Sequence, residues 1–372
     1  MGMDALILSC GTGGGHDSAA KAIVEELRTR GHHAVMLNPY TLRSQSLARR
    51  INGAYISMVQ NTPRLFGAVY TAGELYRKLP CRSPVYHVNH RMVPFMKKYL
   101  ASHSYDVIIT THLYPAEILT NMKNRDLQIP KTIFVSTDYV CIPFTEETNC
   151  DAYVIPAPDL ASDYVRRGVP LEKLHPLGIP TSPVFSNRQS KEEARRRLHL
   201  DPHKKYILTA GGSMGGGTIR ETIETLMDGV AQRQDVSLVV VCGNNQELYN
   251  ALTEKRPKNT VIVGYTQDMA DYMRASDLFV TKPGGLSSTE AAVCGIPILH
   301  TAAIPGCETC NAQYFHTHGM SQVCQDPHQL MAVAMDLLFD QAQCDAMVAR
   351  QRATMDGSAR GILCSFAEYL SK

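Results

Sequence analysis

His16 stands directly after three consecutive glycines, in Gly11-Thr12-Gly13-Gly14-Gly15-His16. A histidine there has little core to pack into, and its ordinary titration range suits proton transfer near neutrality. Two further glycine clusters follow, Gly211-Gly212-Ser213-Met214-Gly215-Gly216-Gly217 and Lys282-Pro283-Gly284-Gly285-Leu286-Ser287-Ser288. Each cluster closes an apolar run and opens a helical pattern. Glycine lets backbone N–H groups approach a phosphate closely, and a helix N-terminus adds a positive dipole end. A phosphate-bearing ligand is therefore expected, with Gly14, Gly15, Gly284, Gly285, Leu286 and Ser287 among its candidate contacts. Glu290 lies one helical turn beyond Gly285. A carboxylate there can accept both hydroxyls of a ribose, or can be an ordinary acid favoured by the helix dipole. Asp138 ends the run Thr132–Thr137 and His112 ends Asp106–Thr111, at the strand ends that face ligands in open α/β sheets. Either residue also suits a helix or turn cap.

Several other chemistries fit less well. A nicotinamide fingerprint needs a third glycine where His16 stands, and the second strand ends in Leu37-Asn38-Pro39 with no acid for a ribose. No Gly-Lys-Ser/Thr closes any of the three loops, which argues against a P-loop. Cys307 and Cys310 form the one close thiol pair and have no second pair at ligand spacing, so no metal site is expected. The 11 cysteines are odd in number and scattered, which reads as reduced thiols and not a disulfide framework.

The elements that must position these residues alternate. Apolar strands are expected at 3–9, 33–37, 106–111, 132–137 and 152–155, with a helix at about 17–30. The pattern restarts with strands at 206–210, 236–242, 260–263, 277–281 and 297–300, and helices at about 218–232, 245–255, 267–274, 287–293 and 308–317. Continuous apolar strands separated by helices imply parallel sheets covered on both faces. The turn-rich stretch Leu177–Phe185 separates the halves. The expected organisation is a domain over 1–180, a second over 181–356, and a closing helix in 357–372.

With 372 residues, 44% apolar and 19% charged, the chain can bury full cores. A net charge of +2 and the absence of Trp argue against a nucleic-acid partner. The N-terminal run Met1–Ser9 lacks a basic region, so no signal peptide is expected. Residues 43–98 depart from the average, with ten Lys or Arg against the single acid Glu74. Large apolar residues such as Tyr55, Leu65, Phe66, Val69, Leu75 and Met96 are interleaved among them. That mixture suits an amphipathic surface lying on an anionic bilayer, and also an ordinary helical insertion whose apolar side is core.

Ser9 with Gly13-Gly14-Gly15-His16-x-x-Ala19-Ala20-x-Ala22-Ile23 resembles the opening of monogalactosyldiacylglycerol synthases and processive diacylglycerol glucosyltransferases. The second half resembles the sugar-nucleotide half of the same enzymes, in Gly211–Gly215, Val263-Gly264-Tyr265, Thr281–Leu286 with Glu290-Ala291, and Pro305-Gly306-x-Glu308-x-x-Asn311-Ala312. The transferase that adds N-acetylglucosamine to lipid I is a more distant likeness. The resemblance implies a GT-B fold, two doubly wound Rossmann-like domains facing a cleft. It also implies inverting, metal-independent transfer of a hexose from a UDP-sugar, with no further cofactor. It implies that Ser213, Met214 and Gly215 meet the phosphates with Gly285 and Leu286, that uracil rests against Val263, Gly264 and Tyr265, and that Glu290 holds the ribose. Glu308 and Asn311 would contact the sugar, and His16 would face the acceptor with Asp138 near it. The implied acceptor is a diacylglycerol-type lipid, and the implied location is the cytoplasmic face of the cell membrane. Two departures stand out: Ile142 occupies a position where the family carries a His, with no Trp after it, and Cys307 precedes Glu308 where many relatives carry Gln. A polyprenyl-linked or soluble acceptor, a non-catalytic sugar-nucleotide binder and a UDP-sugar epimerase are the competing readings.

Overall fold

The computed structural model describes residues 2–79, 81–210, 219–255 and 257–372. The chain divides into two compact units, Met1–Met58 with Arg64–Ser182 and Gly357–Lys372, and Val59–Pro63 with Pro183–Asp356.

The first unit is built on strands β1 (Asp4–Leu8), β2 (His33–Leu37), β3 (Val107–Thr110), β4 (Lys131–Val135), β5 (Ala152–Val154) and β6 (Leu174–His175). They form one parallel sheet in the order β2-β1-β3-β4-β5-β6. Alternate residues of each strand point to opposite faces. Ala5, Ile7, Val107, Ile109, Ile133 and Val135 pack on one side, against Ala20, Ile23 and Leu27 of helix α1 (Gly14–Thr29). Leu6, Leu8 and Ile108 pack on the other. The C-terminal helix Ala359–Leu370 belongs to this unit, and its Leu363, Cys364 and Ala367 complete the α1 side. Arg30 fastens it, donating to Gly361 O at 2.8 Å and to Ser365 Oγ at 2.8 Å.

Residues 43–98 become four helices: α2 (Gln45–Asn61), α3 (Pro63–Tyr76), α4 (Pro84–His90) and α5 (Val93–Ser102). The apolar residues of this stretch divide between core and surface. Met92, Val93 and Met96, at the start of α5, lie in the core with Leu6, Leu8 and helix α6 (Leu113–Lys123), and Tyr86 of α4 is also buried. Helix α3 does the reverse. Leu65 (53% exposed), Val69 (51%) and Leu75 (61%) face outward, with Leu79 just past its end (52%). Its inward side carries Gly73 and Glu74, with Arg77 just past its end, and these meet the rest of the unit.

The second unit repeats the architecture with β7 (Lys205–Ala210), β8 (Val236–Val241), β9 (Thr260–Val263), β10 (Leu278–Thr281), β11 (Ile298–His300) and β12 (Gln322–Val323). The parallel order is β12-β11-β10-β7-β8-β9. Its core joins Leu238 and Val240 to Ile223, Leu226 and Val230 of helix Ile219–Ala231. The two-residue strands β6 and β12 are absent from the sequence reading, because two residues carry no periodicity.

Candidate functional site

In a doubly wound sheet the ligand position is the crevice where the strand order reverses. In the first unit the chain leaves β1 for β2 on one side and returns to β3 on the other, so the crevice lies at the ends of β1 and β3. His16 follows β1, and Thr111 and His112 follow β3. Helix α1 starts at Gly14, three residues before the sequence pattern indicates, which places His16 in its first turn.

The surroundings of His16 determine what its ring can do. Nδ1 lies 2.8 Å from the carbonyl oxygen of Thr111 and 2.9 Å from Thr137 Oγ1. A carbonyl only accepts, so Nδ1 carries the proton and Nε2 holds the lone pair. Thr111 Oγ1 donates back to His16 O at 3.0 Å. The half-buried ring is thus held in one orientation and one tautomer, with its basic nitrogen available. Behind the ring, Asp17 Oδ1 accepts from Ser9 Oγ at 2.5 Å and from Gly11 N at 3.2 Å, closing the glycine loop.

Of the two readings of His112, a ligand-facing strand-end residue or a cap, the structure shows the cap. His112 Nδ1 accepts from Tyr114 N at 3.1 Å as the cap of α6, and Nε2 lies 2.7 Å from Thr12 Oγ1. Both nitrogens are engaged and the ring is buried, edge-on to His16 with centroids 4.6 Å apart. Burial, and then the proximity of His16, hold its pKa well below the usual histidine range. It is a neutral support for His16 and the glycine loop. Asp138 is half-buried and directly follows Thr137, whose hydroxyl touches His16.

In the second unit the order reverses between β7 and β10, so the loops leaving those strands are the ligand loops. Ser213, Met214 and Gly215, with the rest of the 211–217 cluster, lie outside the described residues. After β10, Lys282-Pro283-Gly284 turns into helix Gly285–Cys294. The first bond of this helix runs from Ser288 N to Gly284 O at 3.0 Å, so the N–H groups of Gly285, Leu286 and Ser287 are not used within it. A Cβ at Gly284 would sit 2.9 Å from Ser287 Oγ, which would have to turn aside to admit it.

Glu308 and Asn311, on helix Cys307–Thr317, brace this turn. Lys282 Nζ donates to Glu308 Oε1 at 2.6 Å, Ile304 N donates to Oε2 at 3.0 Å, and Asn311 Nδ2 donates to Pro283 O at 3.1 Å. Lys282 was not among the expected contacts, although its place beside the Pro-Gly-Gly turn was a usable signal. Glu290 is held differently. Burial alone pushes its carboxyl up to about 8, and among the described residues no hydrogen bond or cation opposes that shift. An uncompensated, half-buried carboxyl suits a ligand that brings its own donors. Val263 and Gly264 close β9, where Val263 O accepts from Cys242 N at 2.8 Å, and Tyr265 stands 68% exposed just beyond.

Among the described residues no three His, Cys, Asp or Glu side chains gather as a metal site, and no helix is long and apolar enough to cross a membrane.

Residues 16–181 match the family Monogalactosyldiacylglycerol (MGDG) synthase, and residues 190–354 match Glycosyl transferases group 1. Processive diacylglycerol beta-glucosyltransferase of Bacillus pumilus (strain SAFR-032) is 27% identical over 354 residues, spanning 92% of this chain and 88% of that protein. The protein of the same name from Staphylococcus carnosus (strain TM300) is 30% identical over 240 residues, spanning 63% of this chain and 60% of its own. MurG of Acinetobacter baumannii superposes with a TM-score of 0.63 at 16% identity, over 98% of this chain and 99% of that one. A putative UDP-N-acetylglucosamine 2-epimerase from Listeria monocytogenes superposes at 0.66 and 12% identity, over 99% and 96%. At such identities the likeness is one of fold, and the fold is GT-B. A fold shared by proteins of such different names leaves the site, not the architecture, to separate chemistries.

Proposed function

We propose, from the premise that this chain is a glycosyltransferase of the GT-B class, that it moves a hexose from a UDP-sugar to the hydroxyl of a diacylglycerol-type membrane lipid. The observation that carries the reading is the fixed tautomer of His16, whose Nδ1–H is committed to Thr111 O. An epimerase or a passive binder has no acceptor hydroxyl to deprotonate, whereas a transferase needs a base with its lone pair outward. The relatives named above act on diacylglycerol by name.

The chemistry follows from the residues. His16 Nε2 takes the proton of the acceptor hydroxyl as that oxygen attacks the anomeric carbon. The bond from that carbon to the diphosphate breaks, and UDP leaves with the electron pair. Attack opposite the leaving group inverts the anomeric centre. The unspent N–H groups of Gly285, Leu286 and Ser287 and the helix dipole receive the charge growing on the diphosphate, which gives a route without metal. Ser213, Met214 and Gly215 serve the same phosphates in this reading, and Val263, Gly264 and Tyr265 form the uracil seat. Glu290 accepts the ribose hydroxyls. Glu308 and Asn311, which brace the Lys282 turn, contact the sugar in this reading. Asp138, next to Thr137, lies on the acceptor side of His16.

The outward apolar stripe of α3 supports docking on a bilayer. Arg49, Arg50, Lys78, Lys97 and Lys98 are exposed on the same four-helix insertion, and each cation near an anionic surface is worth about 1 kcal/mol. The working location in this reading is the cytoplasmic face of the cell membrane. Ile142, standing where the resembled family carries a histidine, favours a second reading with an altered, polyprenyl-linked or soluble acceptor.

A radiolabelled panel of UDP-sugars incubated with the protein and a total lipid extract tests the proposal. Label should move into a chloroform-soluble glycolipid on thin-layer chromatography. Label confined to a water-soluble product supports the second acceptor class, and interconversion of the nucleotide sugar in buffer alone would establish an epimerase.

A further inference from the structure

Helix α3 has two working faces, and its inner one grips the loop that carries Asp138. That loop joins β4 to β5 and spans residues 136–151. Five charges form an open chain across it. Asp163 Oδ2 accepts from Cys141 N of the loop at 3.2 Å. Asp163 Oδ1 lies 3.5 Å from Arg167 Nε, and Arg167 Nη1 donates to Glu74 Oε1 of α3 at 2.8 Å. Glu74 Oε2 accepts from Arg77 Nε at 3.0 Å, and Arg77 Nη1 returns to the loop at Glu146 Oε1, at 3.2 Å. The loop is thus held at two points five residues apart, both times through charges that meet on α3. Neighbouring ionised groups hold Arg167 protonated well above the usual range despite its burial.

A second observation is independent of charge. Phe144, between the two grips, has a left-handed backbone with φ 72°. A bulky residue holds that conformation only where its surroundings impose it. The surroundings are again α3. A Cβ at Gly73 would sit 3.4 Å from Phe144 Cε2, and the Tyr76 ring stands edge-on at 6.3 Å.

The opposite side of α3 carries the exposed Leu65, Val69 and Leu75. We propose that Glu74 and Arg77 are positioning residues that couple the seating of α3 on an anionic bilayer to the placement of the Asp138 loop, so that bilayer contact raises turnover at the acceptor side. The proposal rests on the lipid-acceptor reading above. Ion pairs that are partly shielded and share members act as one unit, so loosening any member weakens both grips on residues 141–146, while Ser83 and Arg82 still hold Glu147. The α3 residues need not touch the substrate; they act through Cys141, Phe144 and Glu146.

The test uses the full chain and a short-chain diacylglycerol at saturating concentration, with and without vesicles of phosphatidylglycerol and phosphatidylcholine. In the unaltered protein, vesicles should raise kcat by roughly 5-fold or more. In the Glu74→Gln, Arg77→Gln double variant that rise should vanish, while co-sedimentation with the vesicles and calorimetric affinity for UDP stay the same. Hydrogen exchange of the 139–147 peptide should quicken without change elsewhere. Glu146→Gln, made on the loop side of the same chain of charges, should reproduce the loss and covers the case in which the α3 variant folds poorly. No vesicle effect in the unaltered protein overturns the coupling while leaving the lipid-acceptor reading intact. An equal vesicle effect in the variants, or a loss that merely tracks weaker sedimentation, overturns it as well. Absence of any transfer to lipid defeats the underlying reading, and the coupling falls with it.

Discussion

The two sheet crevices share a topology and differ in what fills them. At the β1/β3 crevice the working parts are side chains: His16 held by Thr111 and Thr137, and His112 locked behind it. At the β7/β10 crevice the described parts are mostly backbone, the free N–H groups of helix Gly285–Cys294, plus one uncompensated carboxyl at Glu290. The contrast fits the two tasks proposed above. Taking a proton from a neutral hydroxyl needs a titrating group in a fixed tautomer. Receiving a diphosphate needs many weak donors in a rigid array, which a helix end supplies without any side chain.

The sharpest way to break this comparison is His16→Ala. Loss of a general base predicts a fall in kcat of roughly 10²–10⁴-fold with UDP affinity unchanged by calorimetry. A parallel fall in both would place His16 on the donor side and erase the division of labour.

Next in size is Glu290→Gln, which should weaken UDP binding by about 1–3 kcal/mol. The pH dependence has a definite direction. Burial pushes the Glu290 carboxyl up to about 8, and in the proposed seat the ribose hydroxyls would donate to its ionised form. UDP should therefore bind more weakly as pH falls below about 8, with a proton released on binding, and the Gln variant should lose both features. Calorimetry in two buffers of different ionisation enthalpy reads the proton directly.

A third comparison lies inside the first unit. Helices α3 and α5 come from one basic, apolar stretch, yet Leu65 and Leu75 of α3 are exposed and Met96 of α5 is not. Changing Leu65 and Leu75 to Ser should lower partition onto anionic vesicles about tenfold, with little change in Tm. Met96→Ser should do the opposite, lowering Tm and sparing partition.

The smallest effect expected is at His112. His112→Ala removes the α6 cap and should cost about 1 kcal/mol, much of which His112→Asn restores. Because His112 is neutral in the fold but protonates below about 6.5 when unfolded, native stability should fall as pH drops through that range. Thermal melts across pH should show a shallower slope in the Asn variant.

Much of the architecture was legible beforehand. The buried parallel strands read as largely apolar runs, such as Leu238–Val241, because both faces of such a sheet are covered. The glycine clusters and Glu290 stood out because phosphate and ribose recognition, the roles proposed for them, favour those residue types at strand ends. Asp17 and Lys282 escaped notice, since an acid in a first helical turn and a lysine before a turn are common for other reasons.

By itself the sequence determined the two-part α/β plan, the placing of loops at strand ends and the type of chemistry, all of which depend on local periodicity and residue type. Only the tertiary structure decided that His16 is the poised ring and His112 its support, because a tautomer depends on partners about a hundred residues away. It also decided that α3 presents its apolar side outward, because an amphipathic pattern says that a helix has two faces and not which of them meets the core.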